Sequence, residues 1–132
     1  MKTRLEPRQM EILRKNLDDR ARQLREEIRA ILIRSESEQY RQIAAEVHDL
    51  EDDSFADLMV DVNLAEIDRD LDELRAVDAA RQRIVEGQYG NCEECGLKIE
   101  FERLQAAPFA TRCFDCQSVH ERTHYSRQGH TL

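Results

Sequence analysis

Apolar residues recur along this chain at alternating steps of three and four. Met10, Leu13, Leu17, Ala21, Leu24, Ile28 and Ile31 form one such series, and Val60, Leu64, Ile67, Leu71 and Leu74 form a second, which Val77, Ala80 and Ile84 extend less regularly. That spacing keeps apolar side chains on one face of a helix, so both stretches are predicted to be helices with a narrow apolar seam. So thin a seam is covered by a second helix lying along it rather than by a thick core. Two such helices joined by a short connection form an antiparallel hairpin. The predicted fold class is mainly α, a long antiparallel coiled-coil hairpin to which smaller elements are attached.

Start and stop signals place the hairpin. Glu6-Pro7 suits a first helical turn, Ser54 followed three residues later by Asp57 resembles a capping box, and Gly87 suits the position just beyond a helix end at Glu86. Helix one is then expected over roughly residues 6–48 and helix two over roughly 55–86. Tyr40, Ile43, Val47 and Leu50 continue the seam of helix one, but Arg34-Ser35-Glu36-Ser37-Glu38-Gln39 interrupts it with polar residues, making that segment the softest expected part. At a rise of about 1.5 Å per residue the paired section should run about 45–50 Å. The expected organisation is a hairpin over 1–86 with an acidic tip near 49–54, a small module over 87–118, and the end of a C-terminal helix with a polar tail over 119–132. The N-terminal turns of helix one and a helix from about Asp115 to Tyr125 are expected to pack on that module.

The chemistry lies in the module. Cys92-Glu93-Glu94-Cys95 and Cys113-Phe114-Asp115-Cys116 are two CxxC pairs separated by seventeen residues. Each pair occupies a tight turn that aims two sulfurs at one point, and a hairpin between the turns brings four sulfurs to one Zn²⁺ ion. With Cys92, Cys95, Cys113 and Cys116 all bound, no position remains for water or substrate, so the expected cofactor is one structural zinc and not a catalytic one. Two disulfides are the alternative. They are disfavoured because Met1-Lys2-Thr3-Arg4-Leu5-Glu6 leads into charged residues with no apolar signal region, and no apolar run approaches membrane-spanning length, which together give a cytoplasmic expectation.

Composition and charge then sharpen the picture. With 36% charged residues, 5% aromatics, no Trp, four Gly and two Pro, the chain suits long solvated helices better than a thick globular core. The net charge of −8 is unevenly spread: eleven basic and eight acidic residues in 1–45, two and thirteen in 46–78, and seven of each in 79–132. Asp49, Glu51, Asp52, Asp53, Asp57 and Asp61 would repel a phosphate backbone. Such a segment seeks a basic cavity or a divalent cation, unless it serves only to keep a thin hairpin soluble.

Gly87-Gln88-Tyr89-Gly90-Asn91-Cys92-Glu93-Glu94-Cys95-Gly96-Leu97-Lys98-Ile99, followed by Arg103-Leu104, Ala106, Pro108, Ala110, Cys113 and Cys116, resembles the signature of the DksA/TraR zinc-finger family. The resemblance extends over the hairpin and implies a protein that binds RNA polymerase, not DNA, and pushes an acidic coiled-coil tip through the secondary channel toward the catalytic magnesium. The family's tip pattern of two aspartates and a small alanine falls on Asp49, Asp52 and Ser54, so the aspartates fit and the alanine has become serine. Capping of helix two by Asp52, Asp53 and Ser54 is a second role for the same residues. The resemblance further implies a guanosine tetraphosphate site made by basic residues, but ungapped counting puts Ala76, Ala107 and Gln117 there, so nucleotide synergy is expected to be weak or absent. Arg75, next to Ala76, points about 100° away on a helix. Arg103 sits at a spacing the family keeps and is expected to tie the zinc loop to the helical base. His120 and His124 are expected to form a polar face of the last helix, and His48 to be a solvated helix-end residue.

The sequence features bear on three function classes. A transcription regulator that binds RNA polymerase, as a monomer without membrane contact, accounts for the motif, the hairpin and the acidic tip. A nucleic-acid-binding zinc ribbon would want a basic face on the finger, and residues 79–132 are neutral. An enzyme would want an open metal position, a nucleophile with its base or a phosphate loop, none of which the sequence offers.

Overall fold

The computed structural model describes residues 4–47, 55, 59 and 65–129. Five helices are bounded within it: α1 (Pro7–Arg34), α2 (Glu38–Val47), α3 (Ala65–Val85), α4 (Phe101–Ala106) and α5 (Phe114–Gly129). Among the described residues, extended pairing is limited to one antiparallel bridge between Asn91 and Lys98. No helix among the described residues is long and apolar enough to cross a membrane. The chain divides into two compact units, one formed by Asp18–Asp78 and the other by Met1–Leu17 with Ala79–Leu132.

In the Asp18–Asp78 unit the seam is the core. Ala21, Leu24, Ile28 and Leu32 of α1 are fully buried, and so, to within a few per cent, are Ile67, Leu71, Leu74 and Val77 of α3. Burial of each large aliphatic chain is worth about 1.5–3 kcal/mol, so these residues carry the helix pair and charged residues occupy the outer faces. Arg20 of α1 closes the edge of the pair with a two-pronged grip on Glu73 of α3, its Nη2 lying 2.9 Å from Oε1 and its Nε on Oε2. The hydrogen bonds from Arg20 hold the Glu73 carboxyl below its ordinary range despite burial. Because both side chains remain about a third exposed, the pair is worth no more than about 1 kcal/mol.

Helix one departs from expectation. The helix expected over 6–48 is two helices, with the break at the polar segment that interrupts the seam. The serine hydroxyls compete with the helical ladder: Ser35 Oγ accepts from the Ser37 amide at 3.1 Å, and Ser37 Oγ accepts from the Tyr40 amide at 3.4 Å, capping α2. Beyond the break the chain turns back, because Arg29 Nε donates to the Ala44 carbonyl at 3.3 Å, whereas fifteen residues of unbroken helix span about 22 Å. In α2 the seam is carried by Ala44, which is buried, with Tyr40 and Ile43 half-buried beside it. In α1 it ends on Leu32 rather than Ile31, which is only half-buried. Phe55 and Met59 are both helical and buried, and they belong to the core of this unit although the second apolar series in the sequence begins only at Val60. Val60, Leu64 and the expected capping pair Ser54 and Asp57 lie outside the described residues.

The other unit is built on the two cysteine turns. Leu13, Leu17, Ala80, Tyr89, Ile99 and Leu104 are its buried apolar side chains beside Cys92 and Cys113. Gly87 has φ of 75° and ends α3, letting the Gln88 and Tyr89 amides both reach the Arg83 carbonyl at 2.9 and 3.1 Å. Gly90 is required by close approach as well as by its φ of 86°: a Cβ there would lie 2.9 Å from Leu5 Cδ1. Leu5, just before α1, thereby packs against the loop at Gly90.

Candidate metal centre and family

Each cysteine turn is held by its own backbone. The Cys92 amide donates to the Leu97 carbonyl at 2.8 Å and the Gly96 amide to the Cys92 carbonyl at 3.0 Å, which folds the first turn back on itself. The Ile99 amide, 2.7 Å from the Gly90 carbonyl, closes the hairpin that carries this turn. The second turn leads into α5, with the Gln117 amide 2.9 Å from the Cys113 carbonyl. Between them α4 and the loop after it return the chain. The Tyr89 hydroxyl donates to the Pro108 carbonyl at 2.7 Å and anchors that loop, and burial pushes the phenol well above its ordinary range.

The result is a four-sulfur cluster. All four Sγ atoms of Cys92, Cys95, Cys113 and Cys116 lie within 4.8 Å of one another, and Cys95 and Cys113 are 3.9 Å apart. A tetrahedron with Zn–S bonds of about 2.3 Å has edges of about 3.8 Å, so the cluster fits one zinc ion. None of the four cysteines is in a disulfide in this arrangement. Cys92 and Cys113 are buried, Cys116 is half-buried and Cys95 faces solvent.

The electrostatics are those of a cation site. Burial opposes ionisation of Cys92, but backbone N–H groups of Cys95, Cys113 and Glu94 outweigh it and bring the thiol down to about 6. The Cys116 amide lowers Cys113 in the same way, against burial. Cys116 goes the other way, pushed up to about 12 first by the Cys113 sulfur and then by burial and the remaining cysteines. Four sulfurs at this spacing can all be thiolates only around a dication, so zinc binding releases protons and supplies folding free energy to the module. With its coordination filled by protein sulfur, Zn²⁺ has a structural part here.

Three arginines tie this module together. Arg83, in the last turn of α3, donates through Nη2 to the Asn91 carbonyl at 2.7 Å, fastening the helix end to the zinc hairpin. Arg103 of α4, expected to tie the zinc loop to the helical base, donates instead to the Arg112 carbonyl of the second cysteine turn at 2.8 Å. Arg112 reaches Glu93 and Glu94 of the first turn at 3.0 and 3.1 Å. Neither α4 nor the Arg112 contacts are expected from the sequence; the latter join residues eighteen or more apart, beyond the reach of any local spacing rule.

The other residues singled out from the sequence fall as follows. Asp49, Asp52, Asp53, Ser54 and His48 lie outside the described residues. In α3 Ala76 is half-buried, and the neighbouring Arg75 is 3.5 Å from Asp72 on the same helix. Ala107 follows α4, and Gln117 donates to Glu121 one turn on in α5 at 2.9 Å. His120 and His124 both lie in α5, which runs to Gly129 rather than stopping near Tyr125. Among the described residues, the four cysteines are the one cluster able to hold a metal.

Comparison with known proteins agrees with this geometry. Residues 87–122 match the prokaryotic dksA/traR C4-type zinc finger. General stress protein 16O of Bacillus subtilis is 42% identical over 62 residues, 47% of this chain and 37% of that protein. The RNA polymerase-binding transcription factor DksA of Caulobacter vibrioides is 42% identical over 55 residues, 42% of this chain and 39% of that protein. The chain therefore aligns with well under half the length of these curated relatives. The solution structure of a DnaK suppressor protein from Agrobacterium tumefaciens aligns with a TM-score of 0.55 at 33% identity, over 83% of this chain and 92% of that one. With the four-sulfur cluster, the helix pair and a solved relative matched over nearly its whole length, this chain belongs to the DksA/TraR family of C4-type zinc-finger proteins.

Proposed function

We propose that this protein binds RNA polymerase and regulates transcription initiation by inserting an acidic tip into the secondary channel, without contacting DNA itself. The observation that carries this reading is the joining, in one chain, of a zinc module of this family to a segment with two basic and thirteen acidic residues over 46–78. A segment so charged is repelled by nucleic acid phosphates and attracted to a basic channel holding a divalent cation. Asp49 and Asp52 are the carboxylates assigned to act there, and Ser54 stands beside them where the family pattern has alanine. Zinc holds the module in shape, and the protein performs no reaction of its own. It acts in the cytoplasm as a monomer. Purified protein is expected to be retained by core RNA polymerase while leaving DNA unshifted at low salt. A salt-sensitive DNA shift without polymerase retention would instead favour a nucleic-acid-binding zinc ribbon.

Guanosine tetraphosphate is expected to change this protein's effect on polymerase far less than that of a relative with basic residues at the three matching positions. Ala76, Ala107 and Gln117 offer no cation, and each charge-assisted contact that is lost removes about 1.5–3 kcal/mol. Three such losses put the nucleotide below useful affinity at this site. Transcription in vitro with and without the nucleotide, on a polymerase lacking its other nucleotide site, measures this. Strong synergy would show that other residues rebuild the site.

A further inference from the structure

We propose that Arg112 is a positioning residue that clamps the first cysteine turn to the second and slows the loss of zinc. Arg112 immediately precedes Cys113, and its side chain crosses to both residues enclosed by the first CxxC pair, with Nη2 3.0 Å from Glu93 Oε1 and Nε 3.1 Å from Glu94 Oε1. Only 21% of the Arg112 side chain is exposed, against 42% and 53% for the two glutamates, so the guanidinium is the sheltered member of the group. Its backbone is fixed too: the Arg112 carbonyl accepts from Arg103 at 2.8 Å, and the Thr111 carbonyl accepts from the Glu93 amide at 2.8 Å. The two turns are thus joined by a backbone bond and a forked ion pair that do not pass through the metal.

The charges explain why the clamp is needed. A zinc ion with four thiolates carries a formal charge of −2, and Glu93 and Glu94 add two further negative charges on the first turn. Arg112 is the cation that bridges them to the opposite turn, and its planar fork binds both carboxylates at once, which an ammonium group cannot do. Without it the acidic turn is repelled by the thiolate cluster that it carries. Opening of that turn, led by solvent-facing Cys95, is the natural first step of zinc loss. Partners that orient metal ligands in this way commonly change metal affinity by about 10–100-fold, and exposed ion pairs contribute less, which sets the expected size here at about three- to ten-fold.

The test is the rate at which the full-length zinc-loaded protein gives up its metal to a chromophoric chelator, with helicity followed by circular dichroism. Arg112→Gln should release zinc about three- to ten-fold faster than the parent, and Arg112→Lys should fall between them. Raising the salt concentration should speed the parent and slow the variant, bringing the two rates together. In a Glu93→Gln, Glu94→Gln background, Arg112→Gln should have no further effect, which packing by the arginine stem alone would not produce. Should Arg112→Gln fail to retain zinc on purification, Arg112→Lys against the parent in the two backgrounds gives the same comparison. Equal release rates, or an Arg112 effect that persists without the two carboxylates, would overturn the proposal.

Discussion

Replacing Asp49 and Asp52 together with asparagine is expected to abolish the effect of this protein on transcription while leaving most of its affinity for RNA polymerase. The two substitutions keep side-chain size and remove two negative charges, so they test charge and not shape. If the acidic segment acts on the catalytic magnesium or its basic surroundings, its influence depends on those charges, because attraction between unlike charges in a channel shielded from bulk water is much stronger than at an open surface. Binding area elsewhere on the protein is untouched, so retention on core polymerase should change by a few-fold at most. The measurement is a paired one, retention on polymerase beside promoter-dependent transcript yield. A double variant that regulates as well as the parent would leave the acid with no part beyond solubility.

Removal of zinc is expected to unfold residues 87–118 while much of the remaining helix persists. The module has few apolar side chains of its own: Tyr89, Ile99 and Leu104 are the buried ones apart from Cys92 and Cys113. So small a core does not by itself offset the conformational entropy of ordering some thirty residues. Binding of structural zinc by four thiolates supplies folding free energy that the core lacks, and the hydrogen bonds to the Arg112, Pro108 and Asn91 carbonyls add to it. Ala21, Leu24, Ile28, Leu71 and Leu74 need no metal to stay buried, so helicity by circular dichroism should fall only in part on chelation. Metal analysis of reduced protein should give about one zinc per chain. Chelation that melts the whole helical signal, or a metal-free protein with full structure, would each contradict this account.

Much of this molecule is legible in its sequence because its strongest signals are local or repeat at a fixed period. The steps of three and four through Leu13, Leu17, Ala21, Leu24 and Ile28, and through Ile67, Leu71 and Leu74, specify two helices and the faces they bury, since helical geometry converts spacing directly into direction. The two CxxC pairs specify a metal and its coordination, because thiolate chemistry leaves few alternatives at that spacing. Gly87 announces the end of α3 for an equally local reason.

Competition between neighbouring residues is harder to read. Ile31, Leu32 and Ile33 are all apolar, and only packing decides that Leu32 is buried while Ile33 stays 47% exposed. Ser35 and Ser37 mark a soft point, but whether their hydroxyls end the helix depends on what the next segment gains by turning back, which here includes the contact from Arg29 to the Ala44 carbonyl. Phe55 and Met59 stand four apart, a spacing that could have assigned them to the seam, yet they lie in a stretch so rich in aspartate that charge dominates the pattern.

The sequence by itself determined the helix pair, the buried faces of α1 and α3, the four zinc ligands and the family, because each rests on residue types at short or periodic separations. Only the tertiary structure decided that helix one breaks at Ser35–Ser37, that α4 closes the zinc loop, that Arg83 and Arg112 hold it, and that the partner of Arg103 is the Arg112 carbonyl. Those contacts join residues distant in sequence through long flexible side chains, whose partners are chosen by where the backbone has already placed carbonyls and carboxylates.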